Sequence, residues 1–349
     1  MSKRATILDI ASVAGVSTAT VSNVINGNHS KVSSETIEKV LRIMREMDYQ
    51  PSMAARSLSK RRSEMLGLLL PIIDGSSDAS LLLRDNPFYG EIVSGVEFQA
   101  ANAGYDILIK GVRPGESCRD WIRKRDLDGA IFIGNYTSVI SEEMEDLGRK
   151  LVLIDCYDEG VQNHSTIGID DESGGYMATT HLLENGHRRI ALAGSNISVD
   201  GPIHRRYLGY KRAMEEKGRT ELSDLIFQET LSFDGGYKIG QQLLARTDIT
   251  AVFALGDVMA FGILKAMNEA GKHIPQELSI VGFDNVAGCE YSMPALTSIS
   301  QQIYERGCLA VDALMEAIRE SNPKITHTIL PVSLKERNSV APLTVGKDV

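Results

Sequence analysis

Five small or polar side chains near the amino end, Thr18, Ala19, Thr20, Ser22 and Asn23, are of the types that meet another molecule at close range. Such groups suit phosphate oxygens and base edges in a DNA groove. They can do this only from a rigid element, and the surrounding residues supply one. Thr6 can cap a first helix, with Asp9 three residues on completing a weak capping box. Ile7, Ile10, Ala11 and Ala14 then recur at helical spacing. Gly15 can take positive φ at little cost, so the chain can turn there. Ser17 is a second cap, Val21, Val24 and Ile25 give the next helix its apolar side, and Asn26-Gly27 stops it. Two short helices about a tight turn make a helix-turn-helix, whose second helix can lie in the major groove. Ser33 or Ser34 caps a third helix with a core face of Ile37, Val40, Leu41, Met44 and Met47. The result is an all-α headpiece rather than a plain helical hairpin.

Charge agrees with this division. Residues 1–62 hold ten Lys or Arg and five Asp or Glu, a net of +5, which leaves −14 of the total −9 on the rest of the chain. A basic head on an acidic body keeps the body off phosphate.

Catalytic signatures are lacking. The chain has no GxSxG elbow, no HExxH and no GxGxxG after a strand. Gly271-Lys272 comes nearest to a P-loop, but Ala266 stands for its first Gly and His273 for the Ser or Thr. The seven histidines do not cluster, and Cys118, Cys156, Cys289 and Cys308 show no metal-type spacing. These cysteines read as reduced thiols of a cytoplasmic protein. No enzyme activity, cofactor or metal is expected. The opening MSKRATILDIASVAG lacks the apolar core of a signal peptide, and no stretch reaches the apolar length of a membrane span.

A chain of 349 residues exceeds one ordinary domain. After Pro51 comes the Ala-rich SMAARSLS, residues 52–59, helix-capable but only about two turns long and so marginal alone. Leu58 has no local apolar partner in it, and Lys60 to Ser63 is a charged connector. From Met65 short apolar runs (MLGLLLPII, YDILIKG, GAIFIG, KLVLID, RRIALAG, AVFALG, SIVGFD) alternate with helix-like stretches. That alternation predicts parallel sheets covered by helices, an α/β body of two βα halves starting near Ser63 and Gln162. The loop DGSSDASLLLRDN, Asp74 to Asn86, follows the first strand, at the sheet end where ligands bind.

The opening run, VSSET, DYQPSMAARSLS, RSEMLGLLLP, NPFYGEIVSGVE, DESGGYMATTHLLENGHRRIALAG, RRYLGYKRAME, FALGDVMAFGIL and SIVGFDN…PALTSI resemble, in order and spacing, the lactose-repressor (LacI/GalR) family of bacterial transcription regulators. The resemblance covers essentially the whole chain. It implies a headpiece at 1–50, a hinge helix and linker at 51–62, and a core at 63–349 of two Rossmann-like subdomains resembling periplasmic binding proteins. One subdomain would hold about 63–161 plus 291–321, the other about 162–290 plus 322–340. Thr18, Ala19 and Asn23 fall where the family reads bases, and Leu58 where the hinge enters the minor groove. Thr6, Ser17, Thr20, Ser22, Asn26, Ala55 and Arg56 would complete the DNA surface. Phe88 and Tyr89 resemble cleft-wall aromatics, and Asn135, Asp155, Arg206, Asp257 and Asp284 resemble effector contacts. Arg206 and Asp284, from separate βα units, would grip a ligand from both sides of the cleft. Asp257 and Asp284 could equally cap a helix or shape a turn after a strand.

Three departures from the family pattern stand out: Asn23 where many relatives carry Arg, a longer segment at Asn28 to Lys31, and the longer loop at Asp74 to Asn86. The expectation is a repressor that binds a palindromic DNA operator as a homodimer, under control of a small effector. A sugar or sugar derivative suits paired Asp and Arg beside an aromatic wall, and a purine or other small metabolite is the alternative. A solute-binding receptor shares the core fold, but the basic head argues against it. The tail APLTVGKDV has no heptads for a tetramerising bundle.

Overall fold

Side-chain caps define the headpiece helices. The structure, a computed structural model, describes residues 5–49, 62–72, 83–113, 116–134, 150–157 and 163–343. Thr6 and Asp9 close a full capping box, with Asp9 Oδ2 accepting from Thr6 N at 2.8 Å and Thr6 Oγ1 accepting from Asp9 N at 3.3 Å. Helix α1 (Ile7–Ala14) follows and ends at Gly15, whose φ is 66°. Ser17 caps α2 (Thr18–Ile25) and Ser33 caps α3 (Ser34–Glu46). Ile10, Ala11, Ala14, Val21, Val24, Val40 and Ile43 form the buried centre. One expected core residue falls outside it. Val40, Ile43, Met44 and Met47 keep the spacing of a single stripe, and Leu41, off that stripe, is 41% exposed.

The chain divides into two units, one with the headpiece and one with nearly everything from Leu66 on. The second unit contains two sheets of six strands each. The first sheet runs β11-β5-β4-β3-β1-β2, from β1 (Met65–Pro71), β2 (Asp106–Val112), β3 (Gly129–Ile133), β4 (Leu151–Ile154), β5 (Ser165–Ile169) and β11 (His327–Leu330). The second runs β12-β10-β9-β8-β6-β7, from β6 (Ile190–Gly194), β7 (Ile226–Gln228), β8 (Ala251–Ala254), β9 (Ser279–Asp284), β10 (Thr297–Ser300) and β12 (Ser333–Lys335). Strand β12 runs antiparallel to β10. Strands β3, β4, β6, β8 and β9 are wholly buried, which is why they read as unbroken apolar runs.

The sheets correct the boundaries expected from sequence. Residues 165–169 pair with the first sheet, not the second half, and 297–300 pair with the second sheet. Residues 327–330 return to the first. The chain therefore crosses between the halves near 170, near 301 and near 331. An apolar run shows that a strand forms and not which sheet accepts it, so these exchanges leave no local trace.

Six helices pack in three pairs through reciprocal glycines: α4 (Pro87–Asn102) with α11 (Ile303–Arg319), α6 (Asp171–Glu184) with α7 (Pro202–Glu216), and α8 (Phe233–Leu243) with α9 (Asp257–Glu269). A Cβ on Gly175 would lie 2.1 Å from the Arg206 carbonyl oxygen, and one on Gly209 2.0 Å from that of Glu172. This backbone approach sets Arg206 opposite the first turn of α6. Gly175→Ala should force the pair apart and destabilise the body by about 1–3 kcal/mol, measured by urea unfolding of the full chain. An unchanged midpoint would show that the helices separate freely.

Candidate functional site

The site in the body lies at the carboxyl ends of β4 and β9. Asp155 and Asp284 stand there with φ of 57° and 122°, and Asn285 and Gln302 also have positive φ. Such backbone is costly for residues other than glycine and gathers where geometry serves function. Arg206, on α7, lies across them. Its Nε donates to Asp171 Oδ1 at 2.8 Å, Nη1 donates to the Leu255 carbonyl at 2.6 Å, and Nη1 is 3.6 Å from Asp284 Oδ1. The guanidinium also stacks 3.7 Å above the Phe283 ring.

Asp171, in the first turn of α6, is favoured there by the helix dipole and accepts a second bond from the Tyr157 hydroxyl. Asp284 accepts from Gln301 Nε2. The Gln301 carbonyl oxygen accepts from Arg306 Nη1, and Arg306 Nη2 donates to Asp155. One buried chain of polar groups thus runs Tyr157, Asp171, Arg206, Asp284, Gln301, Arg306, Asp155, joining residues of both halves. Tyr89 sits beside it: burial, with the Asp155 and Asp284 carboxylates, raises its phenol. Phe88 meets Tyr89 edge-on at 5.2 Å between ring centres, and Asn86 caps their helix by accepting from Phe88 N at 3.1 Å.

Of the expected effector residues, Tyr89, Asp155, Arg206 and Asp284 come together, with Phe88 adjoining Tyr89. Asn135 lies outside the described residues, as do residues 74–82 of the long loop. Asp257 does not belong to the set. It is wholly buried, with Oδ1 accepting from Ser298 Oγ at 2.7 Å and Oδ2 from Val286 N and Cys289 Sγ, each at 3.0 Å. Both oxygens are occupied in fixing the turn after β9, the structural alternative open to an acid at a helix start. Arg206 and Asp284 also belong to the same half, so they do not grip from opposite sides. The other half contributes Tyr157 and Arg306, and neither was legible as a site residue from its own motif. Arg306 left a signal nonetheless: it shares the helical spacing of Ala310 and Leu314, so a charge sits on an apolar face.

Among the described residues no group of three or more His, Cys, Asp or Glu could hold a metal ion, and no single helix is long and apolar enough to cross a membrane. A surface cavity of about 360 Å³, lined by Gln99, Asp312, Glu316 and Arg319 among others, contains none of the site residues.

In the headpiece, Ser17, Thr18 and Ala19 are exposed at the start of α2, and Thr20, Ser22 and Asn23 are half-buried along it. Ser17 Oγ accepts from Thr20 N at 3.1 Å and shares a bond with Thr20 Oγ1 at 2.9 Å. Asn26 Nδ2 donates back to the Ser22 carbonyl at 2.8 Å, so its amide also closes the helix. The longer segment after it forms a turn of 3-10 helix, His29–Lys31. Ala55, Arg56 and Leu58 lie outside the described residues.

A three-helix headpiece with a small polar helix edge, joined to two βα sheets that share a buried polar cluster, defines a DNA-binding regulator with a ligand-binding type of body. Residues 6–52 match the bacterial regulatory proteins of the lacI family, and residues 179–340 match a periplasmic binding protein-like domain. The HTH-type transcriptional regulator DegA of Bacillus subtilis is 33% identical over 97% of this chain and 99% of its own. A LacI family transcriptional regulator from Enterococcus faecium with bound ribose superposes with a TM-score of 0.71, at 31% identity over 80% of this chain and all of that one. The lac repressor dimer bound to operator and the anti-inducer ONPF gives a TM-score of 0.82, at 25% identity over 97% of this chain and all of that one. The chain belongs to the lacI family of transcriptional regulators.

Burial pushes the Asp284 carboxyl up to about 8 from an ordinary 3.8, with Arg206 offsetting only part of the rise. Between those values the folded chain holds a proton that the unfolded chain releases, so this group removes stability as pH rises through that window. Asp284→Asn abolishes the titration. The variant's Tm relative to the parent should therefore be higher at pH 8 than at pH 5. An equal difference at both would show Asp284 ionised throughout.

Proposed function

We propose that the chain represses transcription by binding a palindromic operator as a homodimer, under control of a small effector held in the cleft between its two sheets. The observation that carries this is the buried polar chain from Tyr157 to Asp155, which brings two guanidinium groups and three carboxyl groups to the strand ends. Burying so many charges is costly, and groups that exchange hydrogen bonds with a ligand explain their presence better than stability does. The effector is a sugar or sugar derivative. The ribose-bound relative supports this, and a purine is the alternative. The protein acts on cytoplasmic DNA and is not an enzyme; the relatives named above are regulators. Phe88, Tyr89, Asn135, Asp155, Arg206 and Asp284 are the effector residues, and the exposed edge of α2 with Thr6, Ala55, Arg56 and Leu58 is the DNA surface.

Two measurements test the halves separately. Asn23 has an amide that pairs with the N6/N7 edge of adenine, whereas Arg prefers guanine. Asn23→Arg should change operator preference more than total affinity, by about 1–3 kcal/mol at one base pair per half-site. Equal losses on all operator variants would reduce Asn23 to a backbone contact. In the body, Arg206→Ala and Asp284→Ala should leave effector-free operator binding within a few-fold of the parent while abolishing the effector's influence, since an effector acts only through its preference for one conformation. Operator titrations with effector present decide this, and a parent-like response from Asp284→Ala would remove the cleft assignment.

A further inference from the structure

Arg306 is a fully buried cation that no motif announced. It stands on the first turn of α11, 0% exposed, one residue before Gly307, where α11 and α4 touch so closely that a Cβ would meet the Ile92 carbonyl oxygen at 2.6 Å. Backbone contact thus fixes its position. Two of its three nitrogens are engaged, Nη1 by Gln301 and Nη2 by Asp155. The third, Nε, is buried without a hydrogen-bond partner. An orphaned N–H in a protein interior is rare and asks for an acceptor. Through Asp155 and through Gln301 to Asp284, this one sits among the strand ends where the family's ligands are expected.

The charges around it restrict what that acceptor can be. Arg206 and Arg306 face Asp155, Asp171 and Asp284. With Asp284 protonated the five groups sum to zero, and with it ionised they sum to −1. Neither state leaves a positive charge over for an anion. Asp155 already occupies the outer nitrogen of the Arg306 fork, so a ligand carboxylate or phosphate would have to displace a buried carboxylate to obtain the bidentate geometry that makes such pairs strong. A neutral hydroxyl or ring oxygen needs no such exchange. It accepts from Nε while its own hydroxyl protons go to the carboxylates. An ammonium brings no acceptor for Nε, and with Asp284 protonated it meets a cluster that carries no net negative charge.

We propose that Arg306 is a direct effector contact and that it makes the cleft select an uncharged, polyhydroxylated ligand, a neutral sugar rather than a sugar acid, sugar phosphate or amino sugar. This rests on the cleft being the effector site, and it adds the residue that sets the charge class.

The test uses the full chain and thermal-shift titration with ribose, glucose, galactose and cellobiose beside glucuronate, galacturonate, glucose 6-phosphate, ribose 5-phosphate, glucosamine and hypoxanthine. A binder raises the midpoint by mass action. At least one neutral sugar should bind at least tenfold more tightly than its charged counterparts. Arg306→Lys keeps a positive charge beside Asp155 but lacks the Nε–H, and should weaken that sugar about tenfold. The double variant Asp155→Asn with Arg306→Met removes the ion pair as a unit and should show the same loss if the single variant folds poorly. Tighter binding of an acid, phosphate, amine or hypoxanthine than of every neutral sugar overturns the inference, as does full affinity in Arg306→Lys. A binder unaffected by Arg206→Ala would instead defeat the cleft reading beneath it.

Discussion

The body depends on a buried ion-pair chain that folding alone does not require. Arg206 and Arg306 are both removed from water, and each is held by a carboxylate that is also buried. Desolvating such groups costs several kcal/mol each, and well-packed apolar residues often serve stability as well or better. The pairs persist because each removes the worst consequence of the other's burial. Losing one partner would leave an uncompensated charge among β4, β9 and the helix starts. Burial likewise raises the Asp284 carboxyl, with Arg206 offsetting part of the rise and the Asp257 carboxylate adding to it.

Positions of the charged groups come from backbone contacts rather than from the charges. Gly175 and Gly209 let α6 and α7 approach until main chains touch, which aims Arg206 at Asp171, four residues before Gly175. Gly95 and Gly307 do the same for α4 and α11, next to Arg306. Helix pairs set this way cannot slide by an ångström without steric conflict. The side chains they carry are therefore held in fixed places, the condition under which hydrogen bonds discriminate most sharply between partners.

How much of this was legible depends on whether the signal was local. Thr6, Ser17, Ser33 and Gly15 are caps and turns whose chemistry acts within four residues, so the headpiece could be read directly. The alternation of apolar runs and amphipathic stretches likewise showed two βα halves. Strand partnership is not local, and β5, β10 and β11 lie in the half opposite to the one their place in the chain suggests, because a buried strand looks alike in either sheet. Asp257 and Asp284 illustrate the same limit at the site. Both belong to βα segments at strand ends, yet Ser298, Val286 and Cys289 claim one, while Gln301 and Arg206 claim the other. Those partners come from distant segments, and only the fold distinguishes the two acids.

The polar chain also passes through the places where the polypeptide crosses between the sheets. Gln301 and Gln302 form the second crossing, and Gln302 Nε2 donates to the Pro331 carbonyl at 2.7 Å, tying it to the third. Gln301 itself bonds Asp284 in one half and Arg306 in the other. A ligand that took hydrogen bonds from Asp284, or from the engaged nitrogens of Arg306, would change the partners of Gln301 at that crossing. In such an exchange the bonds gained to the ligand are offset by the internal bonds lost, and what remains is a difference between two arrangements of the crossing. That difference, rather than tightness of binding, is the quantity able to shift a conformational equilibrium. A cluster whose charged groups are bonded mostly to internal partners suits the proposed regulatory role better than storage of a ligand.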